Sequence, residues 1–97
     1  MKFSVITISF NAALVIGKTI ESVLRQDYLD YEYIFVDGAS RDETNSIIDS
    51  YKPQFKEKGI AVSHVSEPDK GISDGFAKGV RLAKGEIVII LNAADEM

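Results

Sequence analysis

Residues 87–91 read Ile-Val-Ile-Ile-Leu, five branched aliphatic residues with no polar position among them. A strand with one wet face alternates apolar and polar side chains. A run that is apolar at every position belongs to a strand covered on both faces. That is the habit of a parallel sheet between helical layers. The rest of the chain supplies what such a sheet needs. Residues 2–9 carry Phe3, Val5, Ile6 and Ile8, residues 31–36 carry Tyr33-Ile34-Phe35-Val36, and residues 60–65 carry Ile60, Val62 and Val65 around His64.

Amphipathic segments lie between these strands. Residues 11–26 place Ile16, Ile20, Val23 and Leu24 on one helical stripe, with Asn11 as the expected N-cap and Glu21–Arg25 as a pair on the wet face. Residues 41–55 turn Ile47, Ile48, Tyr51 and Phe55 inward. Ser40 and Glu43 form an S-x-x-E capping box ahead of them, and Pro53 moves the expected helix end back to Tyr51 or Lys52. Residues 72–83 align Ile72, Phe76, Val80 and Ala83. Gly75 and Gly79 sit in the same segment, each costing about 1 kcal/mol against alanine, which points to a close packing contact. The order βαβαβαβ predicts an α/β three-layer sandwich with a mainly parallel four-stranded sheet, Rossmann-like in plan.

Composition closes off other classes. At 97 residues the chain is one small domain, and 45% hydrophobic against 27% charged residues marks it as folded. With no cysteine and a single histidine, His64, it has neither a disulfide framework nor a cysteine–histidine zinc site. A net charge of -4 argues against a nucleic-acid partner bound by phosphate neutralisation. The longest apolar runs fall far short of the roughly 20 residues of a transmembrane helix, and the amino terminus lacks a signal-peptide pattern. The expectation is a soluble, cytoplasmic protein with no transmembrane segment.

In a parallel α/β sheet, ligands bind beyond the carboxyl ends of the strands. Those ends carry Ser9-Phe10-Asn11, Asp37-Gly38-Ala39-Ser40, Ser66-Glu67-Pro68-Asp69 and Asn92-Ala93-Ala94-Asp95. Any one of these alone is a cap or a turn, but four along one edge make a candidate site. The chain has no G-x-G-x-x-G, no P-loop and no G-x-S-x-G elbow. His64 reads as a structural residue of the third strand. A phosphoacceptor receiver domain would want paired acids after the first strand, where Ser9-Phe10-Asn11 stands.

The strand-end segments together resemble family 2 glycosyltransferases, which have a nucleotide-sugar-binding GT-A fold. Phe3-Ser-Val-Ile-Thr-Ile-Ser-Phe-Asn11 resembles the opening strand, and Tyr33-Ile-Phe-Val-Asp-Gly-Ala-Ser-Arg-Asp-Glu-Thr44 the second strand with its acidic turn. Ser66-Glu-Pro-Asp-Lys-Gly-Ile-Ser-Asp-Gly-Phe-Ala-Lys-Gly79 is similar to a subgroup that includes colanic-acid biosynthesis glycosyltransferases. Gly85-Glu-Ile-Val-Ile-Ile-Leu-Asn-Ala-Ala-Asp95 resembles the strand leading into the metal-binding D-x-D region.

The resemblance implies that Ser9, Phe10 and Asp37 hold the base and ribose of a nucleotide-diphosphate sugar, with a UDP-sugar as the candidate donor. It places Asp69 and Asp74 near the sugar diphosphate, with Lys70 and Lys78 nearby; Asp74 and Lys78 are also spaced to pair. Ser73 and Ala77 replace the subgroup's tyrosine and asparagine. Asp95 matches the acid that holds Mg²⁺ or Mn²⁺. Asn92 and Ala94 stand where many relatives carry Asp, so the implied metal site is weak or absent. No residue matches the catalytic base, because the family's acceptor half lies beyond the D-x-D region. The expectation for residues 1–97 is therefore a single donor-binding half-domain, truncated and inactive alone, acting in polysaccharide biosynthesis when whole. The alternative is a non-catalytic α/β module that self-associates through its sheet. Open strand edges predict a homo-oligomer.

Overall fold

A computed structural model describes residues 2–68 and 72–93. The order is β1 (Phe3–Ser9), α1 (Ile16–Arg25), β2 (Tyr31–Asp37), α2 (Thr44–Glu57), β3 (Val62–Ser66), α3 (Ile72–Leu82) and β4 (Ile87–Asn92). The four strands form one sheet in the order β3-β2-β1-β4, with every neighbouring pair parallel. The chain winds outward from β1 to β3, then crosses back through α3 to place β4 on the other side of β1. The winding direction therefore reverses between β1 and β4, the point at which open α/β sheets leave a crevice.

Strand alternation divides the core in two. Val5, Tyr33 and Phe35 face α1 and α2, where Ile16, Ile20, Val23, Ile48 and Phe55 close over them. Ile6, Ile8, Ile34 and Val36 point to the opposite face, against which Ala83 packs. This is the predicted three-layer sandwich. Tyr33 stacks on Phe35 at 4.2 Å between centroids and meets Phe55 edge-on at 5.2 Å. A second, smaller polar lock closes the amino-terminal edge. Buried Glu32 accepts Ser4 Oγ–H at 2.7 Å and the Lys84 amide at 2.6 Å, while Gly85 N–H donates to Ser4 Oγ at 2.8 Å. These bonds fix the α3–β4 connection against β1.

Several local expectations are corrected. Asn11 does not cap α1: the helix begins five residues later, and Asn11 sits at φ 46. The Ser40–Glu43 capping box does not form, because Ser40 turns to Asp37 instead and α2 starts at Thr44 without a side-chain cap on its N-cap residue. Pro53 lies inside α2, which continues to Glu57. Glu21 accepts the Tyr51 hydroxyl at 2.7 Å, tying α1 to α2.

The apolar stripe expected to bury α3 is largely outside. Phe76 is 46% exposed and Val80 41% exposed, whereas Gly75 and Gly79 are buried. The helix packs on its glycine face because a Cβ at Gly79 would stand 2.6 Å from Ile6 Cγ2. Nor is β4 covered on both sides along its length: Ile87 and Val88 are about two-fifths exposed. Among the described residues no helix is long and apolar enough to cross a membrane.

Gly79→Ala must push Ile6 out of a filled position. It is expected to destabilise the fold by about 1–3 kcal/mol, read as a lower urea midpoint with an unchanged slope. A neutral result would mean that α3 does not pack as closely as the geometry shows.

Candidate functional site

Pairing register brings three polar strand ends into one row. Ser9 is opposite Asp37, and Asp37 is opposite Ser66. Period-two alternation then sends all three side chains to the face carrying α1 and α2. Asn45, in the first turn of α2, meets them there.

Asp37 is the centre of this row and is fully buried. Its Oδ1 accepts from Ser9 Oγ at 2.8 Å and from Ser40 Oγ at 2.5 Å. Its Oδ2 accepts from the Ser40 amide at 2.7 Å, Ser66 Oγ at 2.9 Å and Asn45 Nδ2 at 3.1 Å. Burial by itself would raise the carboxyl pKa. The hydrogen bonds from Ser40, Ser9 and Ser66 outweigh it and hold Asp37 below the usual carboxylate value.

Behind this row, Asn45 Nδ2 also reaches Ser66 Oγ at 3.1 Å, and Asn45 Oδ1 lies 2.8 Å from His64 Nε2. The other ring nitrogen of His64 is 3.6 Å from Asp49. Burial and the nearby Lys52 lower the His64 pKa against the opposing pull of Asp49 and Asp37, so the ring is neutral at pH 7.

The loops after β1 and β2 are bonded to each other. Asn11 N–H donates to Ser40 Oγ at 2.8 Å, and Arg41 N–H donates to Asn11 Oδ1 at 2.9 Å. Ala12 N–H donates to Thr44 Oγ1 at 2.8 Å, and Ala13 N–H to Asp42 Oδ2 at 3.1 Å. The amides leading into α1 are therefore bonded to side chains of the β2–α2 segment and do not form an open anion cradle. Ala39 holds φ 62, a left-handed conformation unusual for a residue with a Cβ. Phe10 is 64% exposed beside this zipped pair of loops, not packed in the core. An exposed aromatic ring at the carboxyl end of a central strand is a stacking platform for a planar ligand.

The remaining expected residues divide. Asp74, in the first turn of α3, lies 3.5 Å from Lys78, which also pairs with Glu67 at 3.1 Å and donates to the Pro68 carbonyl at 3.2 Å. Partial desolvation pulls the Lys78 pKa down, but Glu67 and Asp74 outweigh it and raise it. Asp69, Lys70 and Asp95 lie outside the described residues. Among the described residues no group of three or more His, Asp or Glu side chains is placed to hold a metal ion. Asn45 carried no signal in a motif search. It reaches the row only because α2 docks over the strand ends.

Comparisons with known proteins identify the family. Residues 4–97 match the family described as Glycosyl transferase family 2. A glycosyltransferase of Mycobacterium tuberculosis named for PGL/p-HBAD biosynthesis is 35% identical over 95 residues, covering 98% of this chain and 36% of that protein. The mannosyltransferase PcManGT from Pyrobaculum calidifontis, solved with GDP-Man and Mn²⁺, superposes with a TM-score of 0.88 at 29% identity, over 97% of this chain and 28% of that one. S. aureus TarS 1–349, solved with UDP-GlcNAc, superposes with a TM-score of 0.83 at 28% identity, over 99% of this chain and 27% of that one. The chain belongs to glycosyl transferase family 2, a family of transferases. It spans about a third of the length of the curated relatives it matches.

Replacing Asp37 by Ala strands several buried donors. It is expected to cost about 2–4 kcal/mol of stability. Because the folded-state pKa is depressed, the stabilisation is present above the unfolded value and is lost as pH falls through the folded one. Asp42 and Asp49 are also held low, by Thr44 and by Lys52 respectively, and they act equally in the parent and in an Asp37→Asn variant. The parent should therefore lose stability more steeply than Asp37→Asn below about pH 4 in chemical denaturation. Parallel curves would remove Asp37 from the acid response.

Proposed function

We propose that this chain is the donor-binding part of a family 2 glycosyltransferase and binds the nucleoside end of a nucleotide-diphosphate sugar at the carboxyl edge of its sheet. The observation that carries this reading is the placement of exposed Phe10 beside the Ser9–Asp37–Ser66 row, next to the reversal in strand order. Phe10 stacks on the base, and the exposed Ser66 end of the polar row, held in place by buried Asp37 and Ser9, meets a hydrogen-bonding group of base or ribose. Proteins of similar fold were solved with UDP-GlcNAc and with GDP-Man and Mn²⁺, which supports a uridine or guanosine diphosphate sugar here. Asp69 and Asp74 stand as candidates near the diphosphate. Asp95 is our candidate for one oxygen ligand of Mg²⁺ or Mn²⁺, a weak site unless phosphate oxygens complete it. A bound metal would neutralise the leaving diphosphate.

Transfer to a glycan acceptor, in polysaccharide assembly in the cytoplasm, is the activity we assign to the whole enzyme. It needs a base that deprotonates the acceptor hydroxyl, and residues 1–97 offer no match for the family's base. Calorimetric titration of the chain with UDP and Mn²⁺ tests the binding claim. Saturable binding at millimolar affinity or better is expected, and Phe10→Ala should weaken it about tenfold, the size of one lost base stack. Absence of heat at millimolar nucleotide would sink the reading.

A second reading rests on a separate observation. Ile87 and Val88 leave apolar surface exposed on the edge strand β4, and Phe76, Val80 and Leu82 do so on α3. Such an edge favours self-association of the chain. Light scattering at high concentration should give a mass above that of the monomer; a strictly monomeric mass would count against it.

A further inference from the structure

The direction of every hydrogen bond around Asp37 follows from one fact: an ionised carboxylate only accepts. Ser9, Ser40 and Ser66 each have a single hydroxyl proton, and each directs it at Asp37. Two further donors, the Ser40 amide and Asn45 Nδ2, bring the total on this carboxylate to five, against about four lone-pair sites. Asp37 has no acceptor capacity left for a ligand.

The same logic runs outward. Asn45 must turn Nδ2 toward Asp37 and Ser66, so its Oδ1 faces His64 Nε2. An amide oxygen only accepts, so His64 carries its proton on Nε2. Ser66 Oγ has given its proton to Asp37 and one lone pair to Asn45. Ser66 is also the exposed member of the row, whereas Ser9 and Asp37 are buried. What it can offer outward is a single remaining lone pair.

From this we infer that Ser66 is a ligand contact that only accepts, so the site selects a nucleoside by a hydrogen-bond donor of its own, with Asp37, Asn45 and His64 as positioning residues behind Ser66. The inference rests on the nucleotide reading above. Two groups of a nucleoside supply such a donor, the ring N–H of uracil or guanine and the ribose 2′-hydroxyl. Cytosine presents a lone pair at the ring nitrogen where uracil presents N–H, so it separates the two sources.

The test titrates the parent chain with UDP, CDP and a UDP lacking the ribose 2′-hydroxyl. One of the two altered ligands should bind about tenfold more weakly than UDP, the worth of one hydrogen bond at a partly dry site. A loss with CDP assigns the donor to the base, and a loss with the deoxy ligand assigns it to the ribose. Ser66→Ala should remove that discrimination while the thermal melt shows a folded chain. His64→Gln, whose side-chain amide can replace Nε2–H, should keep it, and His64→Leu should reduce it. Independently of any ligand, nitrogen NMR should show His64 as the Nε2–H tautomer at neutral pH. Equal affinity for all three ligands, discrimination that survives in Ser66→Ala, or an Nδ1–H tautomer overturns the inference and leaves the nucleotide reading standing. Failure of every nucleotide to bind overturns both.

Discussion

The buried carboxylate of Asp37 is the constraint on which the carboxyl edge of this sheet depends. Burying a charge is tolerable only when its lone pairs are met, and here they are met from four separate places: Ser9 after β1, Ser40 in the turn after β2, Ser66 at the end of β3 and Asn45 on α2. One side chain thereby sets the relative positions of three strand ends and a helix. The turn after β2 is drawn back onto its own strand, and Ser40 is diverted from helix capping. Ala39 is held in a left-handed conformation as part of the same turn. Backbone strain of that kind persists where surrounding bonds over-determine it.

A second consequence concerns what the edge presents to a ligand. The β1–α1 and β2–α2 loops satisfy each other through Asn11, Ser40, Asp42 and Thr44. The amides there are occupied, and Phe10 is left standing in solvent. On the proposed reading the edge takes a flat ring and hydrogen-bond donors, rather than wrapping a phosphate in backbone amides. That division suits the nucleoside end of a sugar nucleotide, with the charged diphosphate directed elsewhere along the edge.

Much of this was legible in the chain itself. Continuous apolar strands between amphipathic helices required a covered parallel sheet, and the order of strands and helices is as expected. The strand-end motifs carried the family, and the family match spans residues 4–97. The misreadings were local. Asn11, Ser40 and Glu43 have the side chains of helix caps, but Asn11 accepts from the Arg41 amide 30 positions away, and Ser40 gives its proton to Asp37 and accepts from the Asn11 amide. Pro53 ought to end α2, yet the helix passes through it to reach Phe55, whose fully buried ring meets Tyr33. On α3 the apolar period suggested the wrong buried face, because Gly79 lets the helix approach Ile6 more closely than a side-chain stripe would.

By itself the sequence determined the class of fold and the family, since periodicity and strand-end motifs are local properties of the chain. Only the tertiary structure decided which of those polar residues act together. Pairing register and strand parity put Ser9, Asp37, Ser66 and, two residues earlier on β3, His64 on one face, and the docking of α2 delivered Asn45 to them. Phe10, one residue past the last β1 pair, stands exposed. Parity is a two-residue period, so a slip of a single residue would have sent every one of these side chains to the other face; no motif records that choice.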